Sequence, residues 1–363
     1  MPEIKVKNVF LLLLVISLLP CYYALAEEEV DFGLSFPPIK NAKEIQFTIQ
    51  EMKSLNISLV RISTDWKFRE PEKEIFNWPP LDQRINSLYT NHISILLTIT
   101  AVAPDWACTD RTSHGTGVFT NARDFRKYVQ ALLKRYKDKI DKIQFANEWD
   151  NPEWYPGTEK EYVQFNNILY DEVKNISPKI KVILGGLTRL YPVYMSRCVN
   201  KYPLSFKEMS LKPGIDLYER CDRICTKQFL KTRVEYVLKN AKYDMIDLHL
   251  YDDAENWKFY VKTITSIITK PVLVSEFGGP SSQFEIYSEE YHANRMLKYI
   301  DAIKTLPIME AYYFNLIDNP QTYHENSGLM KANLDKKKAY YIFKNVTTGV
   351  QGRSSSKSLI EKG

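Results

Sequence analysis

The chain has 363 residues, 44% hydrophobic and 13% aromatic, with a formal net charge of +5. That length suffices for one large single-core domain. So small a positive excess, with Lys336-Lys337-Lys338 as its one run and that run reading as a solvated helix start, excludes a nucleic-acid partner.

In chain order, Lys5 and Lys7 precede an apolar run, Val9 to Leu19, and Ala24-Leu25-Ala26 then stands before three glutamates. A charged start, a short apolar stretch and a small-residue site predict a secretory signal peptide over residues 1–26. The run is shorter than the about 20 residues a bilayer span needs, so no stable membrane insertion is expected after cleavage. An uncleaved anchor is the rival reading; a lipoprotein reading of Cys21 meets Pro20 where a small residue belongs. Residues 27–350 then read as one domain, and 351–363, with Ser354-Ser355-Ser356, as a disordered tail.

From Asp31 onward, short apolar runs alternate with amphipathic stretches. The strands are predicted over Asp31–Phe36, Leu59–Ser63, Ser94–Thr100, Lys142–Asn147, Lys181–Gly185, Met245–Leu250, Pro271–Phe277 and Glu310–Leu316. Between them helical patterns cover Glu44–Leu55, Asp82–Tyr89, Ala122–Tyr136, Glu159–Val173 and Glu289–Ile303, and Lys338–Phe343 ends the series. Nearly continuous apolar strands are buried on both faces, and eight of them alternating with helices predict a single-domain α/β fold, the closed (β/α)8 TIM barrel. A doubly wound open sheet would carry a Gly-rich turn after its first strand, where Phe36-Pro37-Pro38 stands instead.

One connection breaks the rhythm. Residues Leu187 to Gln228 form a long segment after the fifth strand and hold Cys198, Cys221 and Cys225. Leaving a C-terminal strand end, it should cover the face where barrel active sites lie. With Cys108, these cysteines make an even count in an exported chain, which suits two disulfides in one of three pairings. A metal site is the alternative reading, although Cys-x3-Cys without a nearby histidine pair is a poor zinc pattern.

Reacting groups in this fold sit at C-terminal strand ends. Strand four ends Phe145-Ala146-Asn147-Glu148-Trp149, and strand seven ends Val274-Ser275-Glu276-Phe277-Gly278. A lone carboxylate there could be a surface or salt-bridged group, but both have apolar flanks, and burying an unpaired charge is costly. Cleaving a glycosidic bond needs such a pair, one carboxyl protonated for the leaving oxygen and one ionised to attack or to activate water.

Asn147-Glu148 after one apolar strand and Ser275-Glu276-Phe277-Gly278 after another resemble glycoside hydrolase clan A. That clan consists of retaining enzymes with an Asn-Glu pair on strand four and a glutamate nucleophile on strand seven. The likeness spans roughly Phe32 to Phe343 and is nearest in flavour to family 39. It implies Glu148 as catalytic acid/base and Glu276 as nucleophile. It also implies Arg61, in Val60-Arg61-Ile62, beside the nucleophile, Asn147 on the sugar 2-hydroxyl, and His249 and Tyr251 as the clan's His-x-Tyr. A satisfied core histidine is the alternative for His249. Ala103-Pro104-Asp105-Trp106-Ala107 resembles the Pro-x-Trp-Ala of families 39 and 42. The sequence departs from the clan at strand eight, where Tyr312-Tyr313-Phe314-Asn315-Leu316 lacks the usual tryptophan and Phe314 or Asn315 would take its place. It departs again at strand three, where Thr98 and Thr100 stand in the stretch in which some families carry a histidine.

Sugar rings stack on aromatic faces, and all six tryptophans fall near C-terminal strand ends; Trp106, Trp149 and Trp154 are the candidates for saccharide contact. The expectation is a retaining β-glycosidase acting on a saccharide, with no metal or organic cofactor. The alternatives are a barrel that binds carbohydrate without catalysis, which would lack a carboxylate, and metal-assisted hydrolysis, which would call for clustered ligands. His92, His114, His249, His292 and His324 are instead scattered along the chain.

Overall fold

The structure, a computed structural model, describes residues 30–205, 223–279, 286–322 and 324–349. The expected signal peptide (1–26), Cys221 and the expected tail (351–363) lie outside these residues.

Eight strands form a closed parallel barrel: β1 (Asp31–Ser35), β2 (Leu59–Thr64), β3 (Ser94–Ile99), β4 (Lys142–Phe145), β5 (Lys181–Leu187), β6 (Met245–Leu250), β7 (Val272–Gly278) and β8 (Ile308–Phe314). Each pairs with its chain neighbours, and β8 pairs with β1 to close the ring. The principal helix after each strand is α1 (Ala42–Ser54), α2 (Pro79–Thr90), α3 (Ala122–Tyr136), α4 (Glu159–Ile176), α5 (Gln228–Asn240), α6 (Trp257–Thr265), α7 (Glu289–Lys304) and α8 (Lys338–Thr347). The expected (β/α)8 barrel is therefore the fold.

Local signals explain why some elements are legible and others not. Asn41, Asn121 and Ser288 cap α1, α3 and α7 by accepting backbone N–H bonds, and Thr158 with Glu161 makes a full capping box on α4. The helical patterns singled out in the sequence omit α5 and α6, whose preceding residues Lys227 and Asn256 make no side-chain cap bond. Strand β4 stops at Phe145, two residues before its expected end, because Ala146 (φ 60°) and Glu148 (φ 47°) turn left-handed. Strand β8 runs Ile308 to Phe314, shifted two residues earlier than expected.

The interior of the barrel is layered. Leu59, Leu96, Ile183, Met245, Leu273 and Tyr312 form a buried apolar cluster of their own, apart from the larger core between strands and helices. Beside it Lys142 reaches across to Glu310 at 2.7 Å, and Tyr312 donates to the same carboxylate. Because strand side chains alternate with period two, the residues two further along β2, β3, β6 and β7 form the next layer toward the C-terminal end. They are Arg61, Thr98, Asp247 and Ser275, joined by Gln144 of β4, and all are fully buried.

The β3–α3 connection carries a short antiparallel hairpin, Cys108–Thr109 against Val118–Phe119. Cys198 and Cys225 form a disulfide within the long β5–α5 connection. Cys108 does not fit the expectation of two disulfides: it is a free thiol, buried over Gly117 on the facing hairpin strand, where a Cβ would overlap its sulfur. Among the described residues no helix is long and apolar enough to cross a membrane.

Leu273 sits in the inner apolar layer, where no rearrangement of the surrounding helices can fill a gap. Leu273→Ala is expected to cost about 2–5 kcal/mol of stability, the usual range for a buried Leu→Ala change. It should be read as a lowered urea midpoint with an unchanged slope.

Candidate active site

The site grows out of the polar layer. Arg61 is fully buried, and each guanidinium nitrogen has a partner. Nη1 donates to Glu276 at 2.5 Å, Nη2 to Asn147 Oδ1 at 2.6 Å, and Nε to Gln144 and Thr98 at 2.9 and 3.1 Å. The ring of Phe36 lies 4.4 Å from the guanidinium carbon. A buried cation needs such a set, and β3, β4 and, from across the barrel, β7 supply most of it.

Gln144 relays the contact onward, donating to Asp247 at 3.0 Å. Asp247 also accepts from the Ser275 amide at 2.8 Å and the Ser275 hydroxyl at 2.5 Å. Ser275 and Glu276 are consecutive, yet both side chains enter the interior. The register between β6 and β7 slips between Asp247 and His249, and this bulge re-aims the second residue. Glu276 thereby meets Arg61 and accepts a hydrogen bond from the Tyr251 hydroxyl. Burial and the neighbouring Glu276 keep that phenol protonated.

His249 stands between the carboxylates. Its Nδ1 lies 2.9 Å from Glu148 Oε1 and 3.6 Å from Glu276 Oε2, and its Nε2 lies 3.2 Å from Ser275 Oγ and 3.7 Å from Asp247. Burial alone would push its pKa down, but Glu276, Asp247 and Glu148 together outweigh it and hold the pKa up at about 10. The same encounter holds Asp247 below the usual carboxylate range, although burial opposes this. Gly186 makes room for the imidazole, since a Cβ there would overlap the ring.

Glu148 leaves β4 through two left-handed residues, which swing Asn147 and Glu148 together into the mouth of the barrel. Behind them Asp150 accepts from the Thr188 amide at 2.9 Å and its hydroxyl at 2.6 Å, tying this turn to the end of β5; burial raises its pKa to about 7. One oxygen each of Glu148 and Glu276, with a His249 nitrogen, lie within 4.8 Å of one another. That trio has the donor types of a metal site, and each of its members also has a hydrogen-bond partner within the site.

Above the carboxylates opens a cleft of about 480 Å³, lined among others by Phe36, Asp65, His114, Asn147, Glu148, Trp154, Tyr251, Glu276, Phe314 and His324. Of the three tryptophans expected to contact saccharide, Trp154 lines the cleft, stacked on His114 at 4.1 Å. Trp149 does not. It is fully buried, donates its indole N–H to Gly185 O at 2.8 Å and stacks on Tyr162. Trp106 packs edge-on against Trp66 and donates to Pro71 O, away from the cleft lining. At strand eight, Phe314 lines the cleft whereas Asn315 is buried. Sequence reading passed over Gln144, Asp247 and Ser275, for which a polar residue inside an apolar strand was the available signal. It also passed over Asp65, His114 and His324, which stand on connections with no periodic pattern.

The titration of His249 has a consequence for stability. A folded-state pKa of about 10 against an ordinary 6.5 means that its contribution is complete below about pH 6.5 and is lost as pH rises through 10. The melting temperature of the wild type should therefore fall between those limits more steeply than that of His249→Asn. Equal slopes would show that the imidazole is neutral. Gly186→Ala should displace the same ring and lower any activity of the site without unfolding the barrel.

Comparison with known proteins gives partial family-model matches and a likeness of fold. Residues 36–114 match the β-galactosidase model of glycoside hydrolase family 42, and residues 218–341 match a model described as a glycosyl hydrolase catalytic core. No curated protein matches the chain. Among solved structures, an exo-β-1,4-mannosidase from Opitutaceae bacterium strain TAV5 is similar over 88% of this chain and 59% of its own, at 14% identity and a TM-score of 0.62. A family 39 glycoside hydrolase from Bacteroides cellulosilyticus WH2 is similar over 90% of this chain and 65% of its own, at 14% identity and a TM-score of 0.61. A glucosidase from Croceicoccus marinus is similar over 88% and 68% of the two chains, at 12% identity and a TM-score of 0.66. The chain thus spans less than two thirds of the first two, and at these identities the likeness is one of fold. Two glycoside hydrolase models thus match separate stretches of one closed barrel, and the chain is similar to glycoside hydrolases in both.

Proposed function

We propose that the protein is a retaining β-glycosidase that hydrolyses O-glycosidic bonds of an oligo- or polysaccharide by double displacement. The observation that carries the reading is that one oxygen of Glu148 and one of Glu276 lie within 4.8 Å of each other, which suits the closer-set retaining pair. Retaining pairs stand roughly 5–5.5 Å apart, whereas inverting pairs leave roughly 6.5–9.5 Å for a water.

In the first step a Glu276 oxygen attacks the anomeric carbon, and Glu148 gives its proton to the departing glycosidic oxygen. In the second, Glu148 takes a proton from water as the water oxygen displaces Glu276, restoring both carboxyl groups. Arg61 and Tyr251 both donate to Glu276 and hold the attacking carboxylate in place. Asn147, fixed through its Oδ1 by Arg61, presents its amide to the sugar 2-hydroxyl. His249 touches Glu148 on one side and approaches Glu276 on the other, holding the pair in register. Trp154 and Phe314 offer the apolar faces on which a sugar stacks. No Lys or Arg lines the cleft among the described residues, which suits a neutral sugar better than a uronate. The Cys198–Cys225 disulfide suits an oxidising, exported setting.

Incubation with 2-deoxy-2-fluoro-β-glycosides bearing activated leaving groups should add the mass of one fluorosugar, mapped to the peptide holding Glu276. Glu148→Gln should lower turnover of unactivated glycosides by about a hundred- to ten-thousandfold, the usual scale of general acid–base catalysis. Glu276→Gln should abolish the adduct as well as turnover. Saccharide binding without adduct or turnover in the wild type would turn the reading toward a barrel that only binds carbohydrate.

A further inference from the structure

Two histidines flank the nucleophile, and only one is accounted for. His249 is engaged by three carboxylates, whereas neither nitrogen of His324 has a hydrogen-bond partner among the described residues. His324 belongs to the connection between β8 and α8, and its backbone is anchored there. Its carbonyl accepts from the Ser327 amide at 3.0 Å and the Ser327 hydroxyl at 2.9 Å. The buried ammonium of Lys337 clamps the same connection, reaching Asp318 at 2.6 Å and Asn326 O at 3.1 Å.

The ring position is equally fixed. It lies flat on Tyr251, with centroids 3.9 Å apart and planes 11° from parallel, and Phe314 meets it edge-on. Tyr251 is the residue that donates to Glu276, so the imidazole sits one ring away from the attacking carboxylate. Burial holds the pKa of His324 down at about 4, despite the attraction of Glu276. The ring is therefore neutral, with one N–H and one lone pair. Nδ1 is buried, while the ring itself lines the cleft. A buried N–H without an acceptor is the less tolerable orphan, which places the proton on Nε2.

We propose that His324 is a substrate-contact residue, donating a hydrogen bond from Nε2 to one hydroxyl of the sugar whose anomeric carbon Glu276 attacks. That bond makes His324 a determinant of which neutral sugar is accepted. The proposal rests on the glycosidase reading above. A ring that merely braces Tyr251 would have no preference among sugar hydroxyls, and the two roles separate in a cycle of enzyme and substrate changes.

The experiment compares wild type, His324→Ala and His324→Asn on an aryl β-glycoside that the wild type hydrolyses and on its monodeoxy analogues. In the wild type, loss of one particular hydroxyl should lower kcat/KM by about tenfold or more, the scale of a hydrogen bond made in a desolvated site. In His324→Ala the parent glycoside should suffer the same loss, and removal of that hydroxyl should then cost nothing further. His324→Asn, which keeps a donor, should recover part of the discrimination and also serves if the alanine variant does not fold. Additive losses for every analogue in both variants would overturn the proposal while leaving the glycosidase reading intact. A wild type inactive on every aryl glycoside would instead overturn that reading, and this proposal with it.

Discussion

A guanidinium sealed inside a barrel must be neutralised and must have its donors satisfied, and the rest of the site follows from how Arg61 meets that demand. Desolvating a charge costs several kcal/mol unless partners of good geometry compensate. Glu276 supplies the opposite charge at Nη1, and Asn147, Gln144 and Thr98 give the other two guanidinium nitrogens their partners. Gln144 is the hinge of this arrangement, because its carbonyl faces Arg61 and its amide faces Asp247. The cation is linked in this way to Asp247, and through Asp247 and Ser275 to His249. In the state ready to donate a proton, Glu148 is neutral. Around the site two cations, Arg61 and His249, then face two anions, Glu276 and Asp247, and the charges of the polar layer balance.

The barrel makes this balance affordable in geometric terms because of its layering. An apolar ring from Leu59 to Tyr312 fills the N-terminal part of the interior, where Lys142 and Glu310 neutralise each other, and the charged side chains of the site stand on its C-terminal side. Period-two alternation would deliver only every second residue to that mouth. Two departures deliver neighbours together: the bulge on β7 brings in Ser275 with Glu276, and the left-handed turn after β4 brings in Asn147 with Glu148. Left-handed geometry at non-glycine residues is costly and persists where the surroundings over-determine it. Here the Asp150–Thr188 bonds and the Arg233 contacts to the Trp149 and Tyr155 carbonyls supply that constraint.

How much of this was legible in the sequence depended on the kind of signal. Strands buried on both faces read clearly, because apolar runs at this spacing have few other uses, and the carboxylates at their ends stood out against apolar flanks. Arg61 and His249 were legible only through the family resemblance, since a lone buried arginine or histidine on a strand has other uses. Trp149 misled because adjacency to Glu148 says nothing of direction. After Ala146 turns left-handed the indole points outward, between β4 and α4, where Tyr162 and Gly185 receive it. Cys108 misled because counting cysteines ignores where hairpins place them. Residues such as Asp65, His114 and His324 depend on how connections fold back over the barrel, and no periodicity records that.

The two histidines beside the nucleophile show that environment, not residue type, assigns a side chain its charge. Both are withdrawn from water, which by itself disfavours an imidazolium. His249 overcomes this because Glu276, Asp247 and Glu148 surround it, and it emerges as a cation. His324 has Glu276 in its field, but its own contacts are the faces and edges of Tyr251 and Phe314, and it stays neutral. A cation between the two carboxylates fixes their separation. A neutral ring at the wall can still donate to a hydroxyl without drawing the nucleophile's charge away from the anomeric carbon. Exchanging these charge states would put a competing cation on the substrate side of Glu276 and remove the one that balances the barrel interior. The constraint that begins with Arg61 thus extends to the cleft wall, where groups beside the nucleophile have to be polar enough to hold a sugar yet uncharged.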